Sequence, residues 1–228
     1  MSKEIFNTIK KLRLARGISQ AEMAQKVGIA RTSYLAVEQG KRELTLAEAA
    51  KIADVLGLSL EELEGGSVPN YAKYKEMILA CLRVVAPTDG KVPKTKLAKL
   101  LYLADFAWFY EHLTSMSGMS YRKIQYGPVP VDYFRAVDEL FEEGKINIEN
   151  AADGAMLISE TSAARRDRLS DLSVNEKNLI GKIGDKWKRA RTQEIVEFTH
   201  QQLPYLVSRE NEVIPYEVIT QENPGHVY

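Results

Sequence analysis

Apolar positions in residues 1–66 recur in short runs at helical spacing, and each run is closed by a glycine. Ile5, Ile9 and Leu12 predict a first helix that Gly17 ends. "SQAE" (Ser19 to Glu22), "TLAE" (Thr45 to Glu48) and "SLEE" (Ser59 to Glu62) each place a hydroxyl three residues before a Glu. That is a capping box: the hydroxyl accepts from an orphan amide, and the carboxylate reaches back to the cap's own N–H. The boxes mark three helix starts, and Gly28, Gly40 and Gly57 fall where helices should stop. The pattern predicts five short helices. Gly65-Gly66, then Ser67 and Pro69, read as a linker, so the chain divides into domains 1–66 and 70–228.

The second stretch is mainly helical with a small antiparallel β element. "YAKYKEMILACLRVV" predicts a helix, and "APTDGKVPK" is a turn-rich break. A long helix follows from about Lys94 to His112. Leu97, Leu100, Leu101 and Ala104 share one face at its start, and from Leu100 to Tyr110 it is apolar nearly all round, which predicts a central, buried helix. Tyr121, Ile124 and Tyr126 have strand-favouring types, with a turn at Gly127-Pro128. "VDYFRAVDELFEEGK" predicts an amphipathic helix with Phe134, Val137 and Phe141 on one side. "INIENAADGAMLISE" predicts two short strands around Asp153-Gly154. Ser173 to Glu176 is a further capping box, "TQEIVEFTHQQLPYL" a helix ended by Pro204, and "NEVIPYEVI" a terminal extended segment.

Composition adds boundaries. No apolar run reaches the roughly 18 residues of a membrane span, and the start is a charged amphipathic pattern, not a signal peptide. With one cysteine, Cys81, the chain can form no internal disulfide and no multi-cysteine metal site. We read it as cytoplasmic. Net charge is zero but uneven: residues 1–42 carry nine Lys/Arg against three Glu, and residues 43–66 one Lys against six acids. Such a polar field suits approach to a polyanion by one face.

The spacing in the first domain carries more. A helix from about Gln20 to Val27, a tight turn at Gly28-Ile29 and a helix from about Arg31 to Gln39 form a helix-turn-helix. "ISQAEMAQKVGIARTSYLAVEQGKR" resembles the Cro/C1-type (XRE) repressor family, and the likeness covers residues 3–64. It implies a five-helix, lambda-repressor-like domain on double-stranded DNA, with the second motif helix in the major groove. Arg31, Thr32, Ser33 and Ala36 then face base edges, and Arg31 is suited to guanine. By the same resemblance Gln20 grips phosphate, Lys41 and Arg42 touch backbone, Tyr34 and Val37 are core, and Arg13 pairs with Glu38. Ala30 departs from the family, which usually has Ser or Thr as that cap. One such motif covers a half-site, so we expect a homodimer on a palindromic operator.

"KLAKLLYLADFAWF", "QYGPVPVDYFRAVDEL" and "EIVEFTHQQLPYL" followed by "EVIPYEVI" resemble the Panacea, or SocA-like antitoxin, domain over roughly residues 75–220. The resemblance implies an antitoxin that binds a protein toxin encoded by a neighbouring gene. We place the toxin-binding surface at Tyr126, Gly127, Pro128, Val129 and Pro130, where two prolines stiffen the chain. The alternative is a ligand-responsive or constitutive repressor with no toxin.

Asp105 sits alone among apolar neighbours in "LLYLADFAWFY". It can be a structural pin, the rim of a partner surface or a catalytic acid, and we read it as the pin. Catalysis lacks a partner acid, a nucleophile elbow, a phosphate loop and HExxH, so no enzyme, cofactor or metal is expected. Cys81 with His200 is a conceivable thiol–imidazole pair, but a buried structural Cys and a hydrogen-bonded core or cap His are the plainer readings. His112, His200 and His226 form no metal pattern. Arg165 to Arg168 and Lys186 to Arg191 read as solvated basic faces, and Trp108, Phe109, Tyr110, Tyr133 and Phe134 as core packing.

Overall fold

The computed structural model describes residues 3–58, 60, 63, 69–86, 90–152 and 154–228. The chain forms two compact units, Met1–Pro69 and Asn70–Tyr228.

The first unit contains α1 (Lys3–Ala15), α2 (Gln20–Val27), α3 (Arg31–Glu38) and α4 (Leu46–Val55). Ser19 and Thr45 start α2 and α4 through complete capping boxes: each hydroxyl accepts from the Glu amide at 3.2 Å, and each Glu carboxylate accepts from the cap's N–H. Gly28 ends α2 at φ 82°, the left-handed conformation that costs a glycine little. The third box, Ser59 to Glu62, lies outside the described residues. Leu60 and Leu63 are helical, and Leu63 is buried with Ile9, Tyr34, Val37, Ile52 and Leu56 in one core.

The second unit is built around α6 (Lys94–His112). Against it pack α5 (Tyr71–Val85), α8 (Val174–Trp187), α9 (Thr192–Gln201) and β3 (Gly127–Pro130). Twelve consecutive residues of α6, Lys96 to Ala107, are buried. A three-stranded antiparallel sheet, in the order β1 (Val92–Pro93), β5 (Met156–Glu160), β4 (Ile146–Asn150), lies to one side. Arg83 of α5 ties to it by a fork onto Glu160, at 2.7 and 2.9 Å. Strand β2 (Tyr121–Ile124) pairs with β3 as a hairpin. Helix α7 (Tyr133–Glu142) follows, and α10 (Leu203–Val207) comes after α9.

Several boundaries differ from expectation. Ile124 pairs with Gly127, so the turn is Gln125-Tyr126 and Gly127 and Pro128 belong to the strand. Pro204 does not merely end a helix: α9 stops at Gln201, and Pro204 sits in the first turn of α10, where its missing N–H costs nothing. The terminal segment runs beside β2 only to Ile214, then turns into a 3-10 helix over Tyr216–Gln221. Helix α7 buries Tyr133, Ala136, Val137 and Leu140 and leaves Phe134 and Phe141 each 51% exposed, so those two rings are not on the core face. Trp108, Phe109 and Tyr110 pack against the core from its edge.

Asp105 is fully buried in α6. Its carboxylate accepts from the Ser117 amide at 2.7 Å, the Ser117 hydroxyl at 2.5 Å and the Tyr121 hydroxyl at 2.8 Å. It thereby pins the loop after α6 and the start of β2 to the helix. Burial pushes its carboxyl up to about 6, against the downward pull of those hydrogen bonds. The folded value lies above the unfolded one of about 3.9, so between the two the folded state holds the extra proton. This group therefore adds stability as pH falls from about 6 towards 4 and withdraws it as pH rises. Urea titrations of the full chain should show that slope flattened in Asp105→Asn. Asp105→Ala, which strands the two Ser117 donors, should lose on the order of 2–3 kcal/mol. Wild-type stability in both variants would remove Asp105 from this role.

Candidate nucleic-acid and partner surfaces

In the first unit the outer end of α3 presents Arg31 and Thr32 to solvent, with Ser33 and Ala36 half-buried behind them. Ala30, at the cap position, makes no side-chain cap bond. The helix is held from within instead. Tyr34 and Val37 are fully buried, and Glu38 receives the Arg13 guanidinium at 2.5 and 3.1 Å. Arg13 also donates to the Ile18 carbonyl at 2.7 Å, so one side chain joins α1, α3 and the entry to α2. Burial pushes the Glu38 carboxyl up, but hydrogen bonds from Arg13 and Gln20 outweigh it and hold the group below its ordinary value.

Gln20 donates to Glu38 at 2.9 Å and so completes the Arg13–Glu38 pair. Lys41 is exposed just past α3, its backbone fixed by a 2.8 Å bond to the Ala36 carbonyl. Arg42 is tied to Glu48, the capping-box acid of α4, at 2.7 Å. That bond fixes α4 to the loop after α3. The motif thus shows Arg31, Thr32 and Lys41 outward, with Gln20 and Arg42 partly spent on internal bonds.

In the second unit only Tyr126 of the five residues at the β2–β3 hairpin is exposed, at 67%. Gly127, Pro128, Val129 and Pro130 are buried, because β3 packs on α6 and α9. The surface at the hairpin is therefore made by the turn residues Gln125 and Tyr126, not by the proline strand. Phe134 lines the same groove as Tyr126.

Beneath the hairpin lies chemistry that the sequence reading missed. Lys99, six residues before Asp105 on α6, is fully buried and donates to the Pro128 carbonyl at 3.0 Å. Burial lowers its amine to about 7. His200 stacks flat on Tyr205, ring centres 4.4 Å apart. Its Nε2 is buried with no hydrogen-bond partner among the described residues, so it is not the bonded core or cap histidine expected. Burial, reinforced by the charges of Lys99 and Lys123, holds His200 below its ordinary value. The available signal was that the apolar run 97–110 contains two charges, Lys99 as well as Asp105. Cys81 is buried, and burial together with the Asp105 charge pushes its thiol up to about 12, which leaves no thiolate nucleophile.

Comparison with known proteins bears on both units. The helix-turn-helix family matches residues 9–63, and the antitoxin SocA-like, Panacea domain matches residues 97–204. The chain is 31% identical over 104 residues to the SPbeta prophage-derived uncharacterized HTH-type transcriptional regulator YonR of Bacillus subtilis (strain 168), covering 46% of this chain and 95% of that protein. The chain belongs to the helix-turn-helix transcriptional regulators. Its second unit carries the SocA-like Panacea domain. Control protein C.MunI of Mycoplasma sp is 40% identical over 58 residues, 25% of this chain and 78% of its own length. The cryptic phage CTXphi transcriptional repressor RstR of Vibrio cholerae is 34% identical over 81 residues, 36% of this chain and 70% of its own. No solved structure matches the chain significantly. The matched families are regulators and antitoxins rather than enzymes, and no helix among the described residues is long and apolar enough to cross a membrane.

The hairpin gives a sharp test of which residues are surface and which are support. Gly127 has φ 92°, and a Cβ there would lie 2.6 Å from His200 Nε2 and 2.8 Å from Lys99 Nζ. Gly127→Ala should therefore destabilise the full chain by on the order of 2 kcal/mol or more. Tyr126→Ala should stay within about 0.5 kcal/mol of wild type. Urea unfolding of the two variants compares them directly, and equal midpoints would contradict this division.

Proposed function

We propose that this helix-turn-helix regulator is the antitoxin of a toxin–antitoxin pair and represses its own operon. The single observation that carries the reading is the joining, in one chain, of a helix-turn-helix match with an antitoxin SocA-like match. The first unit takes a palindromic operator as a homodimer, with half-sites about one helical turn, roughly 34 Å, apart. Arg31 reads guanine, Thr32 and Ser33 bond bases or phosphate, and Ala36 lies against the bases. Lys41 meets backbone phosphate, joined by Gln20 and Arg42 through the N–H groups left over from their bonds to Glu38 and Glu48. The second unit holds a protein toxin by direct contact, with Tyr126 as the exposed member of the hairpin and Gly127 to Pro130 as the stiff support beneath it. The cavity beside Tyr126 favours a second reading, a ligand-responsive repressor with no toxin.

For the DNA half, the experiment is a titration of the full chain on the sequence upstream of its own gene, at several salt concentrations. Binding should weaken steeply with salt and saturate at two chains per operator. Arg31→Ala should cost about 1–3 kcal/mol and relax one base position, while Lys41→Ala should weaken all sequences alike. An Arg31→Ala variant unchanged in affinity and base preference would overturn the assigned register of α3.

For the toxin half, residues 70–228 are co-expressed with the neighbouring gene and growth is scored. Protection is expected from that fragment and from the full chain, and none from residues 1–66. Tyr126→Ala in the full chain should weaken protection at unchanged protein level. If the full chain is folded and expressed yet neither protects nor pulls down the neighbouring product, the antitoxin reading falls and the ligand-responsive repressor replaces it.

A further inference from the structure

Helix α4 stands outside the helix-turn-helix, yet two of its side chains close on the motif, one near each end. Its inner face is anchored first: Ala49, Ile52 and Ala53 are buried in the same core as Met23, Ala24 and Val27 of α2. Glu48 and Lys51 lie one turn apart on α4. Lys51 donates to the carbonyl of Val27, the last residue of α2, at 3.3 Å. Glu48 receives Arg42, in the loop after α3, at 2.7 Å.

The chemistry at each end suits such a tie. A helix leaves its last carbonyls without intrahelical donors, and that end carries partial negative charge. At the end of α2 the amides of Gly28 and Ile29 take the Ala24 and Gln25 carbonyls. The Val27 carbonyl takes the Lys51 ammonium instead. The tight turn to α3 begins at the next residue, Gly28, with φ 82°. On the far side Glu48 is itself held in place. Its Oε2 accepts from the Thr45 N–H at 3.0 Å, and the Thr45 hydroxyl accepts from its amide at 3.2 Å. The other oxygen, Oε1, is the one on Arg42. Hydrogen bonds from the Arg42 side chain and the Thr45 amide hold the Glu48 carboxyl below its ordinary value. The Arg42 side chain remains 35% exposed. The turn and the loop carry α3 between them, with Arg31 at its start and Lys41 just past its end.

We infer that Glu48 and Lys51 are positioning residues for DNA recognition: from α4 they fix the two ends of the motif, so that Arg31 and the Lys41-Arg42 pair meet the duplex in one register. The inference rests on the reading of the first unit as a DNA-binding module and is independent of any toxin. Phosphate contacts set the register in which base contacts form. Loosening either tie therefore weakens the specific complex and spares sequence-independent binding, which needs no single register. The Glu48 arm also has a sign that simple charge attraction cannot imitate. Removing an acid beside a polyanion's contact loop tightens all binding, whereas removing a positioning residue weakens the specific complex.

The full chain first selects a duplex from a randomised pool, so the test does not depend on where the natural operator lies. Wild type and variants are then titrated on that duplex and on a scrambled one at several salt concentrations, with urea unfolding to check each fold. Lys51 is exposed and Glu48 half-buried, so the variants should unfold close to wild type. Glu48→Gln keeps the capping box, which Gln can complete, and removes the charge from the tie to Arg42. It should bind the selected duplex roughly three- to tenfold more weakly, and the scrambled duplex no more weakly, than wild type. Lys51→Met should lose a similar factor on the selected duplex alone, with its salt slope unchanged, and Lys51→Arg should restore most of it. Glu48→Gln binding the selected duplex as tightly as wild type, or tighter, would overturn the inference. So would Lys51→Met weakening both duplexes alike with the salt slope lowered by about one, the mark of a direct phosphate contact. If no duplex is enriched, the DNA-binding reading falls and takes the inference with it; an enriched duplex that both variants bind like wild type removes the inference alone.

Discussion

Helix α6 carries three charged side chains, Lys96, Lys99 and Asp105, into the buried part of the second unit, and the unit is arranged around that constraint. An unpaired carboxylate in such a place would neutralise or unfold its surroundings. Asp105 instead collects the amide and hydroxyl of Ser117 and the hydroxyl of Tyr121. Those bonds do more than satisfy it. Ser117 lies in the loop that leaves α6, and Tyr121 opens β2. One carboxylate therefore sets where the chain turns and where the hairpin starts. Tyr121 also donates to the Leu101 carbonyl and meets the rings of Tyr102, Phe106 and Tyr216 edge-on, so the polar pin is sheathed in aromatic packing. Sealing it this way is what raises its pKa.

The first unit meets the same physical problem with an ion pair. Arg13 and Glu38 lie 2.5 Å apart and are nearly inaccessible, and Gln20 and the Ile18 carbonyl take up part of the remaining bonding capacity. Breaking such a pair by removing one partner leaves a bare buried charge and costs about 3–5 kcal/mol, a large share of what a unit of this size possesses. The pair also accounts for the bare cap. A side-chain cap at Ala30 would contribute on the order of 1 kcal/mol, a modest amount beside the anchoring of α3 through Tyr34, Val37 and Glu38. The helix keeps its start because its buried face and its far end are fixed, not because its first amides are bonded.

The two units differ in how much of them could be read from sequence. Capping boxes act over three residues, so Ser19–Glu22, Thr45–Glu48 and Ser173–Glu176 announced their helices within the local chain. The central burial of α6 was equally local, written in a run that is apolar apart from Lys99 and Asp105. What failed was decided by partners far along the chain. The hairpin turn was assigned to Gly127-Pro128 because those residue types favour turns, but β3 is drawn onto α6 and α9, and the two exposed residues before it make the turn. Phe134 and Phe141 look like core by composition, yet α7 turns Val137 and Leu140 inward and leaves the rings at the surface. Lys99 was overlooked because a lysine in a helix is presumed to reach solvent. Its burial depends on the Pro128 carbonyl, 29 residues away.

The contrast between Asp105 and Lys99 separates a buried group that its own fold satisfies from one that it does not. A group whose bonding capacity is filled by its own fold has nothing left to offer, and altering it changes the fold. Asp105 is of that kind, as is Glu38. A buried group whose bonding capacity is not filled is held in a costly state that packing alone does not explain. Lys99, with one bond to the Pro128 carbonyl, is of that kind, and the buried His200 Nε2, which has no hydrogen-bond partner among the described residues, is another. Gly127 is what lets both sit there: with φ 92° and no Cβ, it leaves the room a side chain would take. The stiff strand from Gly127 to Pro130 is thus read best from its inner side. Its prolines and its glycine hold an amine and an imidazole in place, and the Gln125-Tyr126 turn is the part of the hairpin that faces out.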